Sequence, residues 1–323
     1  MKISDIQHSV SRELEKFEPF FRQRLQSPVP LLSSITNHIY RSKGKRLRPL
    51  LVFLSAKLNG EICQKTYAGA AMVELLHTAT LMHDDVVDDA DRRRNSLSIK
   101  ALWDSKKAIL AGDFLLSHGV LVALEHQSID FLNIATNAIR YMSEGELQQL
   151  ERARQLEWSE ELYFDIIRKK TATLIQSCTL IGAHSVGATG ERLAAVGRYG
   201  ELLGVAFQLR DDVLDFRSSS ITGKACGNDI REKKITLPLI FALKKVDKPE
   251  QKRILSLVAT ASINSRNVKE VVSFVAEQGG LEHTEGVVHD YCANAKRALD
   301  IFPESDAKAA LLDLAGIVAE QKK

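Results

Sequence analysis

Between Val73 and Ser98 an apolar helix runs directly into five aspartates, and that junction restricts what the chain can become. Val73, Leu76, Ala79, Thr80 and Met82 follow helical spacing, with no Gly or Pro among them. Asp84, Asp85, Asp88, Asp89 and Asp91 come next, followed at once by Arg92, Arg93 and Arg94. On a helix Asp84 and Asp88 stand at i and i+4, with carboxylates on one face about 5–6 Å apart. Asp85 lies roughly 100° round the axis. Such carboxylates repel one another, and they fall late in the helix, where the macrodipole disfavours anions. A cation in the gap relieves both costs. All-oxygen ligands select a hard ion such as Mg²⁺, held by one or two carboxylates plus substrate phosphate.

A solvated acidic helix end is the ordinary explanation of a single run of this kind. Two features count against it here. The apolar run abuts the acids without a polar turn, so the helix reads as buried up to the charge. The chain also repeats the pattern: Leu202, Leu203, Val205, Ala206 and Leu209 lead into Asp211 and Asp212, with Asp215 at i+4 from the first. Two such helices predict a facing pair that pinches metal ions.

Composition sets the frame for those helices. In 323 residues Gly (18) and Pro (7) are scarce, and strand-like alternation is hard to find, so the chain reads as all-α. No Pro/Gly/Ser-rich linker divides it, which predicts a single domain over 1–323. Lys and Arg (44) nearly balance Asp and Glu (41), too even for a nucleic-acid partner. Cys63, Cys178, Cys226 and Cys292 show no CxxC or zinc spacing and read as reduced thiols of a cytoplasmic protein. There is no signal peptide and no apolar run near 18 residues, so no transmembrane segment is expected.

Residues 4–26 read as one amphipathic helix, with Ile6, Val10, Leu14, Phe17 and Phe21 on a stripe for core or subunit packing. Ser42 to Pro49 is a basic turn before an apolar helix, a plausible diphosphate cradle. Ala111 to Phe114 reads as a short turn into a packing helix. Residues 131–154 read as a helix ending in an acidic, glutamine-rich run. Residues 217–229 form the clear Ser- and Gly-rich stretch, fit for a lid that excludes water.

Taken together, Asp84–Asp88, Asp211–Asp215, GKRLRP at 44–49, Lys170-Thr171 and GKxxGxD at 223–229 resemble the trans-isoprenyl diphosphate synthases, or polyprenyl synthetases, in order along the whole chain. Asn95 stands where that family usually has Gly. The resemblance implies a bundle of antiparallel helices around a central cavity, a homodimer, and Mg²⁺ at three ions per active site. It implies that isopentenyl diphosphate is held by Lys45, Arg48, His77 and Arg94. The allylic diphosphate falls to Arg93, Lys170, Thr171, Gln208, Lys224 and Lys234. Metal falls to Asp84, Asp85, Asp88, Asp211, Asp212 and Asp215. Lys170 and Lys224 then neutralise the leaving diphosphate, while Thr171 and Gln208 face a carbocation.

Ala79 and Thr80, five and four residues before Asp84, are small where short-chain members carry bulk. An open tunnel along that helix, with Leu132 beside Phe131 as its floor, implies a product of about C35–C50, one extended prenyl unit spanning roughly a helical turn. Such a chain suits a quinone. Two alternatives stay within the family: a farnesyl or geranylgeranyl synthase, and the catalytic subunit of a heteromeric enzyme. A terpene cyclase needs no second diphosphate site, which Lys45, Arg48 and Arg94 argue for. A regulatory subunit would lack the acidic motifs.

Overall fold

The computed structural model describes residues 3–42, 44, 46–93, 96–217 and 227–321, and nearly all of them are helical. The exception among described residues is an antiparallel ladder two residues long, Arg92–Arg93 against Ser96–Leu97. Two residues are too few to show a period in sequence. The chain gathers into two compact units. One comprises Met1–Thr136, Ser177–Gly197 and Ile301–Leu311; the other comprises Asn137–Gln176, Arg198–Asp300 and Leu312–Lys323.

The first unit is organised by the Gln64–Val87 helix. Its start is fixed by Thr66, whose hydroxyl accepts the Cys63 N–H (3.2 Å) and meets Ser185 Oγ at 2.7 Å. Ala68, Ala70, Ala71, Met72, Val73, Leu75, Leu76 and Ala79 are all buried, so the helix is apolar on every side. The Ser105–Glu125 helix packs along it. Gly112 lies inside that helix and does not form a turn. A Cβ there would sit 2.4 Å from His83 Nε2, so glycine serves the close approach of two helices.

Ser105–Glu125 is long and apolar enough to cross a membrane by length and composition alone, a test that a core helix passes as well. One face carries the buried Ala108, Leu115 and Val122, while Leu110, Leu121 and Leu124 are exposed on another.

At the chain start, the continuous helix expected over 4–26 is interrupted. Ile3–Gln7 and Ser11–Arg24 are separated by a 3₁₀ turn at His8–Val10. The stripe itself is core: Phe17 and Phe21 stack at 5.4 Å, and Phe17 meets Phe53 edge-on at 5.8 Å.

Within the basic turn, Arg46 adopts a left-handed backbone (φ +50°) and turns inward. Its guanidinium reaches Glu18 (3.2 Å) and Glu74 (2.7 Å) and lies 4.7 Å from the Phe21 ring centroid. Arg46→Ala strands two carboxylates in a largely buried site. Loss of about 3 kcal/mol is expected, read as a lower midpoint in urea. An unchanged midpoint would mean that this cluster does not hold the unit together.

In the second unit, Phe216, Ile230, Leu239, Leu243, Ile254, Val258, Val271 and Phe274 form a buried core. The Gly190–Phe216 helix, which carries the second acid run, ends on it.

Candidate active site

The first acid run keeps the spacing expected of it. The helix ends at Val87 and Asp88 caps it, its N–H bonded to the Asp84 carbonyl at 2.8 Å. Asp84 is half-buried, Asp85 is 4% exposed, and Asp88 is open. Asp89 turns left-handed (φ +53°) and leads the chain out. Lys100 pairs with both Asp89 and Asp91, two acids outside the metal set that the resemblance implies. His77 is buried two turns earlier, and Arg48 is half-buried in the first turn of the Leu47–Asn59 helix. Ala79 is fully buried, and the half-buried Thr80 bonds its hydroxyl to the His77 carbonyl (2.9 Å). Leu132 is half-buried, while its neighbour Phe131 is buried close to Gly69 of the Gln64–Val87 helix. Lys45, Arg94 and Lys224 lie outside the described residues, as does the side chain of Arg93.

The second unit builds a denser array. Lys170 and Thr171 sit in a π-helical turn, Arg168–Ala172, between the helices Glu160–Ile167 and Thr173–Ser185. Widened turns of this kind recur at functional sites. Glycines hold it from two sides: a Cβ at Gly204 would lie 2.6 Å from Ala172 Cα, and one at Gly145 would lie 3.1 Å from the Lys170 nitrogen. Lys170 Nζ reaches Glu146 at 2.5 Å. Thr171 donates to Gln208 Oε1 (2.7 Å), Gln208 Nε2 donates to Asp212 Oδ1 (2.8 Å), and Tyr163 donates to Asp212 Oδ2. Tyr163, Lys170, Thr171, Gln208 and Asp212 line a cavity of about 100 Å³ together with Asp229 and Lys234. Lys234 pairs with Glu232.

Around the second acid run the carboxylates differ. Asp211 is exposed and Asp212 is buried. Asp215 accepts the backbone N–H groups of Asn228 (3.1 Å) and Asp229 (3.0 Å), which ties it to the end of the 217–229 stretch. Burial pushes Asp212 and Asp215 above the usual carboxylate range. Burial, and then the charge on Asp215, push Asp229 up to about 7.

Carboxylates crowded out of water in this way favour a nearby cation. Among the described residues no three acidic, histidine or cysteine side chains converge on one point. Each acid run offers a few oxygens at a helix end, a donor set that fits Mg²⁺ when substrate phosphate completes the shell.

An acid that titrates higher in the folded protein than in the unfolded chain weakens the fold as pH rises. For Asp229 that penalty builds from its ordinary value near 3.8 and is complete above about 7. Metal-free protein is therefore expected to be less stable at pH 8 than at pH 6, by on the order of 1 kcal/mol from this group. Asp229→Asn should narrow the gap in a thermal melt; an undiminished gap would assign it to other groups.

Three residues of this array carried no signal in the sequence. Tyr163 and Glu146 sit on helices where they read as core and surface. Arg210, between Gln208 and Asp212, is buried and donates to the Val318 carbonyl at 3.1 Å, so the chain's last helix is pinned behind the acids.

Acid-ended apolar helices, a π-turn presenting Lys and Thr, and an all-helical scaffold define a diphosphate-handling helical enzyme. The polyprenyl synthetase family model matches residues 29–275. The chain belongs to that family and is a prenyltransferase. It is 33% identical to an octaprenyl diphosphate synthase of Haemophilus influenzae, over 98% of this chain and 96% of that protein. It is also 31% identical to a short chain isoprenyl diphosphate synthase of Methanothermobacter thermautotrophicus, over 100% and 99%. A decaprenyl diphosphate synthase from Rhodobacter capsulatus superposes with a TM-score of 0.93 at 32% identity, covering all of both chains. A Caulobacter crescentus polyprenyl synthase, solved with calcium and isoprenyl diphosphate, gives 0.92 at 33% identity over 100% of this chain and 98% of its own.

Proposed function

We propose that the whole chain acts as one catalytic domain, a long-chain all-trans polyprenyl diphosphate synthase. It condenses isopentenyl diphosphate head-to-tail onto an allylic diphosphate to reach about C35–C50, one prenyl unit per helical turn of tunnel, for a quinone side chain. The observation that carries this reading is the pairing of an intact acid run with the small, fully buried Ala79 one turn below it.

Asp84, Asp85, Asp88, Asp211, Asp212 and Asp215 would hold Mg²⁺, three ions per site; Asp212, which accepts hydrogen bonds on both oxygens, also orients its neighbours. Bound Mg²⁺ supplies neutralisation of the departing diphosphate. Lys170, with Arg93, Lys224 and Lys234, grips the allylic diphosphate, and the C–O bond breaks with its electron pair leaving on that group. Thr171 and Gln208 face the cation with oxygen lone pairs. Lys45, Arg48, His77 and Arg94 hold isopentenyl diphosphate while its double bond attacks. The proton lost afterwards goes to released diphosphate, so no protein base is needed.

The exposed Leu110, Leu121 and Leu124 share a stripe on the Ser105–Glu125 helix, and a homodimer covers that stripe. The enzyme works in the cytoplasm and delivers its product to membrane enzymes.

Purified protein should incorporate labelled isopentenyl diphosphate only when Mg²⁺ and an allylic primer are both present. Incorporation without primer, or none with both, would contradict the reading. Arg48→Ala should raise KM for isopentenyl diphosphate by about tenfold and hardly change that for the primer, as loss of one charged phosphate contact predicts. Lys170→Ala should do the reverse or depress kcat. Equal weakening of both substrates by both variants would undo this division into two sites.

A further inference from the structure

We propose that Tyr163 is a positioning residue for the condensation, its phenolic O–H setting, through Asp212, which way the Gln208 amide and the Thr171 hydroxyl point. The inference rests on the synthase reading above and adds to it a residue that touches neither diphosphate.

Tyr163 is 6% exposed and reaches Asp212 from the Glu160–Ile167 helix. The direction of each bond then follows from donor chemistry. Ionised, Asp212 only accepts, and Gln208 then presents its NH₂ to it, as it does at 2.8 Å. The same amide is left with its carbonyl towards Thr171, 2.7 Å away. A hydroxyl has one proton, so that of Thr171 goes to Gln208 and its remaining lone pair is available to the cavity. Lone pairs there stabilise a developing cation, whereas an O–H turned towards it would oppose it.

Tyr163 closes the far end of this relay by occupying Asp212 Oδ2. Without that bond Asp212 can rotate, Gln208 can flip, and the Thr171 proton is no longer fixed. Thr171, Gln208, Asp212 and Tyr163 all line one cavity, so the effect needs no transmission over distance. Simple packing against Phe164, at 5.4 Å between ring centroids, would be kept by phenylalanine.

Tyr163→Phe keeps the ring and removes the O–H. It should lower kcat about tenfold with both KM values within about twofold, the pattern of a lost transition-state interaction. In a Thr171→Val background the same change should cost less than about twofold, because the relay no longer has an end to orient. By calorimetry with Mg²⁺ and diphosphate, an ammonium analogue of the allylic cation should bind Tyr163→Phe about tenfold more weakly, while the uncharged-chain allylic diphosphate binds as before.

Wild-type kcat in Tyr163→Phe, a full additive loss in the Thr171→Val background, or equal weakening of both ligands would overturn the inference. A wild-type enzyme that condenses normally alongside any of these leaves the synthase reading intact. A wild type with no condensation removes that reading instead.

Discussion

Asp84→Ala and Asp211→Ala are each expected to lower condensation by roughly a thousandfold, since about 4 kcal/mol of lost leaving-group stabilisation is a factor of that size. The folded protein should hardly change. Asp84 is only half-buried at the last turn of its helix and Asp211 is exposed, so neither substitution opens a cavity. Removing one of several mutually repelling acids stabilises the metal-free fold slightly, if anything. Circular dichroism and a thermal melt in the absence of metal check that half of the expectation. Turnover within about threefold of wild type in either variant would remove these acids from the metal site.

Ala79→Tyr should shorten the product to about C15–C20. The position is one residue over a turn below Asp84, about 7.5 Å by helical rise. Ala79 is fully buried, so a phenol placed there must displace its packed neighbours or enter the space proposed for the growing chain. Overpacking costs stability of about 1–3 kcal/mol, so the variant's melt belongs beside its product profile. Unchanged product length in a folded variant would show that the tunnel does not follow this helix face.

The acid-ended helices were legible because an apolar helical run meeting charge with no turn between is rare and is set by local sequence. Burial of the Gln64–Val87 helix up to Met82 follows the pattern read from it. What was not legible depends on partners distant in sequence. Gly112 reads as a turn until His83 fills the space of its Cβ. Within Lys43 to Arg48, nothing in the sequence says that Arg46 turns inward, because Glu18, Glu74 and Phe21 come from two other helices.

The π-turn at Arg168–Ala172 shifts the helical phase over five residues, too few to disturb an apolar period. Tyr163 looks like any core tyrosine until Asp212 is placed beside its hydroxyl. The apolar length of Ser105–Glu125 was hidden by Asp113 and His118, which interrupt any unbroken hydrophobic run.

Product length tests the central claim most directly. Wild-type protein, alone with Mg²⁺, farnesyl diphosphate and excess labelled isopentenyl diphosphate, should yield after dephosphorylation a chromatographic peak at about C35–C50, one prenyl unit per helical turn of open tunnel. A product that stops at about C20 would contradict the long-chain assignment, since some four turns of tunnel hold no more than that.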